Sequence, residues 1–125
     1  MGNRESFKRP HERLDVWQDA MRLVELIYLV SSRFPPDERF GLISQIRRAA
    51  TSIPSNIAEG AARRSRQEYL RFLSIARGSL SEVDTQLQIA SRLGMVEAAS
   101  EVDDLIDRVF ARITALINTL ESADA

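Results

Sequence analysis

A chain of 125 residues makes one domain, or one subunit of an assembly, and can bury about two thirds of its unfolded surface without a disulfide or metal. Its 17 basic and 18 acidic side chains give a net charge of −1, which excludes a uniformly basic nucleic-acid coat and a disordered acidic tail. Zero cysteines and a single histidine exclude thiol catalysis, cysteine-ligated zinc, iron–sulfur clusters, disulfide scaffolds and any site that needs two histidines from one chain.

Between the breaks at Pro35–Pro36, Gly60 and Gly94, apolar residues recur at spacings of four and three, the period of packed helices. The first helix is predicted from about Asp15, as N-cap, to about Arg33, with Val16, Ala20, Leu23, Ile27, Val30 and Phe34 inward. A second stripe of Trp17, Met21, Val24 and Tyr28 lies beside the first. The second helix is predicted from about Glu38 to Glu59, with Leu42, Ile46, Ala49, Ile53 and Ile57 inward. Pro54 lies inside it and removes a backbone donor, so a kink or loosening is expected, with Ser52, Ser55 and Asn56 at hand for the freed carbonyls.

Ser65 followed by Glu68 reads as a capping box opening the third helix, and Gly94 as the residue just past its end. Its stripe is Leu73, Ala76, Leu80, Val83, Leu87 and Ala90. Gly78 costs this helix about 1 kcal/mol relative to alanine, so a close helix contact is expected there. The fourth helix is predicted from about Glu97 to Leu120 through Val102, Ile106, Val109, Ile113, Leu116 and Leu120. Short connections then predict an all-α, up-down-up-down four-helix bundle. The single domain has an ordered core of about 14–121 and a mobile N-terminal tail.

The chain lacks the residues that common chemistries need. A di-iron bundle requires Glu-x-x-His motifs, whereas His11 lies before the first helix and reads as a solvated tail residue. There is no nucleophile elbow, phosphate-binding loop or dinucleotide fingerprint. Asp103, Asp104 and Asp107 sit where they complement the positive end of the fourth helix, while Glu82 and Asp84 read as rim charges. No enzyme, metal or cofactor is expected. No apolar run approaches the ~20 residues of a membrane span, and residues 1–15 lack the apolar core of a signal peptide. A cytoplasmic protein with no membrane partner is therefore expected.

Charge is unevenly spread. Residues 1–72 carry 13 basic and 9 acidic side chains, and residues 73–125 carry 4 and 9. Arg47, Arg48, Arg63, Arg64, Arg66, Arg71 and Arg77 face only Glu59 and Glu68 between positions 47 and 77. Two readings of this cluster stand side by side. Arg63, Arg64 and Arg66 form a basic rim for nucleic-acid phosphates, or they are solvated loop charges and partners for acids of a neighbouring subunit. Arg47 and Arg48, about 100° apart on their helix, can differ in fate, one of them drawn to Glu82 or Glu59. The broad face of the first helix also has two readings. Trp17, Met21, Val24 and Tyr28 complete the monomer core, or they form the oligomer interface, which the excess of apolar surface favours.

At the second helix, Gln45-Ile-Arg-Arg-Ala49 followed by Ser52-Ile-Pro-Ser-Asn-Ile-Ala-Glu-Gly60 resembles the signature of the four-helix-bundle proteins encoded by intervening sequences in bacterial 23S ribosomal RNA genes. Leu14-Asp-Val-Trp-Gln-Asp-Ala20 resembles the opening of that family's first helix, and Phe34-Pro35 with Glu38-Arg-Phe-Gly-Leu42 its first turn. The stretch from Glu68 to Glu82 resembles its third helix, so the likeness spans residues 14 to about 95. It implies a homopentameric barrel of four-helix protomers with no catalytic activity. The family also resembles the accessory variability protein of diversity-generating retroelements, which binds nucleic acid through a basic pentamer surface and partners a reverse transcriptase. That likeness implies Arg47, Arg48, Arg63, Arg64 and Arg66 as phosphate contacts, RNA or DNA as a partner, and a nucleic-acid-processing protein as another. The chain is slightly acidic where that relative is strongly basic. Asn56 and Glu59 are expected to be structural.

The leading expectation is a non-enzymatic homo-oligomer that binds structured RNA or DNA through its arginine-rich surface. The alternative is a protein-interaction scaffold whose arginines serve only its assembly.

Overall fold

The computed structural model describes residues 9–97 and 100–123. Among them are four α-helices and no strand: α1 (Asp15–Ser31), α2 (Leu42–Ala61), α3 (Arg66–Arg92) and α4 (Ser100–Ser122). Helix α2 packs on α3 and α1, and α4 packs on both α1 and α3, so the four helices enclose one core. Leu23, Ile27, Ile46, Ile53, Ile57, Leu73, Leu80, Val83, Val109 and Ile113 are buried in it, each contributing about 1.5–3 kcal/mol by leaving water. Most of the N-terminal tail expected to be mobile, residues 1–8, lies outside the described residues.

The predicted inward stripe of α1 is buried from Val16 through Phe34. On α4 the buried face also takes in Leu105 and Ile117, while Leu116 and Leu120 are only partly buried. Asp15 is the first helical residue and Leu14 holds the N-cap position.

Helix α2 starts later than expected, at Leu42 and not near Glu38. Pro36–Glu38 form a short 3-10 turn, and the Glu38 carboxylate accepts a hydrogen bond from the Leu42 N–H at 3.1 Å. Glu38 therefore caps the helix from outside it, satisfying one of the first-turn donors that has no intrahelical partner. Helix α2 then runs without a break through Pro54, whose side chain is buried. Next to the missing donor, Ser55 Oγ donates to the Thr51 carbonyl at 2.8 Å and Asn56 Nδ2 to the Ser52 carbonyl at 2.7 Å. Side chains thus bind the carbonyls adjoining the proline's gap.

The start of α3 matches its sequence signal: the Ser65 hydroxyl accepts from the Glu68 N–H at 3.1 Å. Its end is a Schellman turn. Gly94 has φ +74°, its N–H donates to the Ser91 carbonyl, and the Met95 N–H donates to the Ala90 carbonyl at 2.9 Å; glycine takes this left-handed conformation without steric cost.

The glycine that permits close helix packing is Gly60, not Gly78. A Cβ at Gly60 would lie 2.9 Å from Phe72 Cβ and 3.0 Å from Tyr69 Cδ1, both on α3, whereas one at Gly78 would meet nothing within 4 Å. Gly78 faces outward, which its i, i+4 spacing from Ser74 already allows.

Candidate nucleic-acid interface

The five candidate arginines are held in different ways. Arg47 turns back into its own protomer. Its Nε donates to the Ser31 hydroxyl at 2.8 Å, one of its terminal nitrogens donates to the Tyr28 carbonyl at 3.2 Å, and the guanidinium lies 4.5 Å from the Tyr28 ring centre. The last turn of α1 contains no basic residue, so Arg47 brings from α2 the positive charge that complements the helix's negative end.

Arg48, one residue on, points to the other side of α2 and lines a groove shared with α3. The sequence expectation that these two neighbours differ in fate holds. The specific partners do not, since Arg47 goes to Ser31 and Tyr28, and neither arginine forms an ion pair among the described residues.

At the α2–α3 turn, Arg63 pairs with Glu59 at 2.6 Å and lies 5.0 Å from the centre of the Phe72 ring. Arg71 approaches the same ring at 4.8 Å. Phe72 thus anchors two guanidinium groups, each attracted by the ring's negative face. Arg64 is exposed and has no partner among the described residues, and Arg66, the first residue of α3, is half-buried. The turn therefore gathers Arg63, Arg64, Arg66 and Arg71 within one short stretch, with Arg64 the most available to a phosphate.

Asn56 and Glu59 have the structural roles expected of them. Asn56 bonds the Ser52 carbonyl and hydroxyl, and Glu59 holds Arg63.

The second stripe of α1 divides. Trp17 and Val24 are partly buried against the core, whereas Met21 and Tyr28 are 41% and 42% exposed. His11 is not a loose tail residue. It belongs to a 3-10 turn, Pro10–Arg13, that packs on α1 and α2, and its ring meets the Trp17 ring edge-on at 5.0 Å.

A model of the 23S rRNA-intervening sequence protein family matches residues 12–118, spanning all four helices and both arginine groups. The chain belongs to that family. No curated protein matches it. The residues that carried the resemblance in the sequence, from Leu14 to Glu82, all lie within the stretch that the family model covers. No helix among the described residues of this 23S rRNA-intervening sequence protein is long and apolar enough to cross a membrane.

Sequence reasoning passed over two features of the family member. Phe40 is 88% exposed, and it adjoins the groove lined by Ser44, Gln45, Arg48, Ser52, Ser79 and Glu82. The available signal was its position, an aromatic residue out of register with the Leu42, Ile46, Ala49 stripe. Gln86 is the other. It is 6% exposed, donates from Nε2 to Glu82 Oε2 at 3.2 Å, and its Oε1 is buried without a partner.

Proposed function

We propose that this protein is a non-enzymatic, cytoplasmic homo-oligomer that binds structured RNA or DNA through the arginines of its α2–α3 turn. The observation that carries the reading is the gathering of Arg63, Arg64, Arg66 and Arg71 at one turn, with Arg64 exposed and unpartnered among the described residues. Backbone phosphates suit such a surface because guanidinium groups form two-pronged bonds to them. Arg48 contributes from the neighbouring groove, and Arg47 acts indirectly by fixing α1 against α2.

The protomer is an up-down-up-down bundle in this reading. Cross-helix pairs support it: Ser52 with Ser79, Gly60 with Phe72, and Arg112 with Asp19. Five protomers form a ring, as the family resemblance implies, with the α1 face of Trp17, Met21, Val24 and Tyr28 as the subunit contact. The exposure of Met21, Tyr28 and Leu29, the last at 55%, supports a contact along α1. Met21→Glu is expected to lower the mass measured by sedimentation equilibrium to that of a smaller species. An unchanged mass would remove α1 from the interface.

Binding is tested by titrating the protein into labelled structured RNA and duplex DNA across a salt series. Saturable binding that weakens steeply with salt is expected, because phosphate contacts release counterions. Replacing Arg63, Arg64 and Arg66 with alanine is expected to abolish it and leave the helical content intact. Undiminished binding by that variant would remove the turn from the proposal.

A second reading is a protein-interaction scaffold without nucleic-acid binding. Its support is the internal use of Arg47 and Arg63, which are committed to Ser31, Tyr28, Glu59 and Phe72. An absence of binding at low salt would favour it.

A further inference from the structure

The groove between α2 and α3, about 530 Å³ and open to solvent, has chemistry that the arginine turn does not. One wall, from α2, presents hydrogen-bond donors in Arg48 and Gln45. The opposite wall, from α3, presents the Glu82 carboxylate, and Phe40 stands at the edge. Neither Arg48 nor Glu82 has an ion-pair partner among the described residues, so each charge in the groove is open to a ligand. Gln86, one turn further along α3, bonds Glu82 Oε2, orienting the carboxylate while leaving it further lone pairs. Phe40, 88% exposed, leaves unrealised most of the roughly 1.5–3 kcal/mol that burying such a side chain gives. Arg39 lies 5.8 Å from its ring centre.

An exposed aromatic face beside a donor wall and an acceptor wall is the set of contacts that an unstacked base uses, stacking on the ring and hydrogen-bonding along its edges. The carboxylate selects among bases. It only accepts, and two adjacent donors on one edge, N1–H and the N2 amino group, occur on guanine alone. Adenine and cytosine place an acceptor beside their amino group there, and uracil has one donor between two acceptors. On its other edge guanine offers O6 and N7, the acceptors that arginine reads. We propose that the α2–α3 groove binds an unpaired guanine of single-stranded RNA, stacked on Phe40, with its donor edge on Glu82 and its acceptor edge toward Arg48. This is a second contact on nucleic acid, separate from the phosphate-binding turn.

The test is anisotropy of labelled nine-residue RNAs, all uridine or with one central guanosine, inosine or adenosine. The guanosine oligomer is expected to bind about tenfold more tightly than the all-uridine one, from the size of base-stacking and edge contacts. Inosine, which lacks the N2 amino group, is expected to fall between them. Phe40→Ala should remove the preference, Phe40→Trp should retain it, and Glu82→Gln should reduce discrimination of guanosine from adenosine while sparing stacking. Equal affinity for the guanosine and uridine oligomers would overturn the proposal. So would a wild-type preference in Phe40→Ala, and if that variant also sediments as a smaller species, Phe40 is a subunit contact. Duplex binding measured with the unsubstituted protein separates the two proposals. Absence of a guanosine preference with salt-sensitive duplex binding intact overturns the groove alone, and a guanosine preference without duplex binding overturns the turn alone.

Discussion

Arg47 donates from Nε to the hydroxyl of Ser31, a fully buried side chain on the neighbouring helix. That hydroxyl in turn donates to the Tyr28 carbonyl, which also accepts from Arg47. One arginine therefore satisfies polar groups at the end of α1 and stacks on a ring of the same turn. The residue contributes to stability first, whatever it meets in a complex.

Arg47→Ala is expected to destabilise the fold by about 2–3 kcal/mol, from lost charged hydrogen bonds and the cation–ring contact. Arg64→Ala, at an exposed site, is expected to stay within about 0.5 kcal/mol. Urea denaturation midpoints check the pair. The ranking should invert in nucleic-acid titrations, where Arg64→Ala lowers the salt slope and Arg47→Ala does not.

Gly60→Ala is expected to lose about 1–3 kcal/mol, because the new methyl would press on Phe72 Cβ and on the Tyr69 backbone, neither of which can swing aside. Gly78→Ala should gain up to about 1 kcal/mol of helix propensity, with open space around the added carbon. Thermal melts of the two variants should move in opposite directions.

Burial pushes the Tyr69 phenol above its ordinary range. A phenol harder to ionise in the folded state than in the unfolded one supports folding fully below the unfolded value, about 10. Above it the unfolded chain releases the proton first, so stability falls as pH rises toward the folded value. Denaturation between pH 8 and 11 is expected to show a decline at the alkaline end that is smaller in Tyr69→Phe. Parallel curves for the two proteins would refute it.

Gln86→Leu removes a buried oxygen that has no partner and is expected to raise stability by about 1 kcal/mol. The same change releases Glu82, so the guanosine preference should weaken while the melting temperature climbs. A lower melting temperature would mean that the oxygen is satisfied by solvent.

The helices were legible because their burial is periodic: Val16 through Val30 on α1 and Ile46 through Ile57 on α2 are inward as spaced. The start of α2 was misread because Glu38 acts as a cap four residues ahead of the helix, a contact that leaves no trace in hydrophobic spacing. Gly60 read as a break in the sequence and Gly78 as the close helix contact, whereas the approach of Phe72 puts that contact at Gly60 and leaves Gly78 in open space. The arginines were legible as a cluster but not one by one. Whether a guanidinium faces solvent or a neighbouring carbonyl depends on which helix lies beside it, and Arg47 and Arg48 differ for that reason. Phe40 was hidden by its place in a connection, where exposure follows from the path of the chain.

The bridge from Asp19 to Arg112 joins residues 93 apart in sequence, while Gly60 meets Phe72 only twelve residues on. Closing the longer loop costs about 2 kcal/mol more in chain entropy, and the ion pairs that fasten it are exposed on their arginine side. Folding is therefore expected to begin with α2 against α3 and to end with α4 reaching α1. In amide exchange, the α1–α4 seam should open at lower free energy than the rest. Such an opening leaves the groove and the arginine turn assembled, so the protomer can loosen one side without dismantling the side proposed to meet nucleic acid.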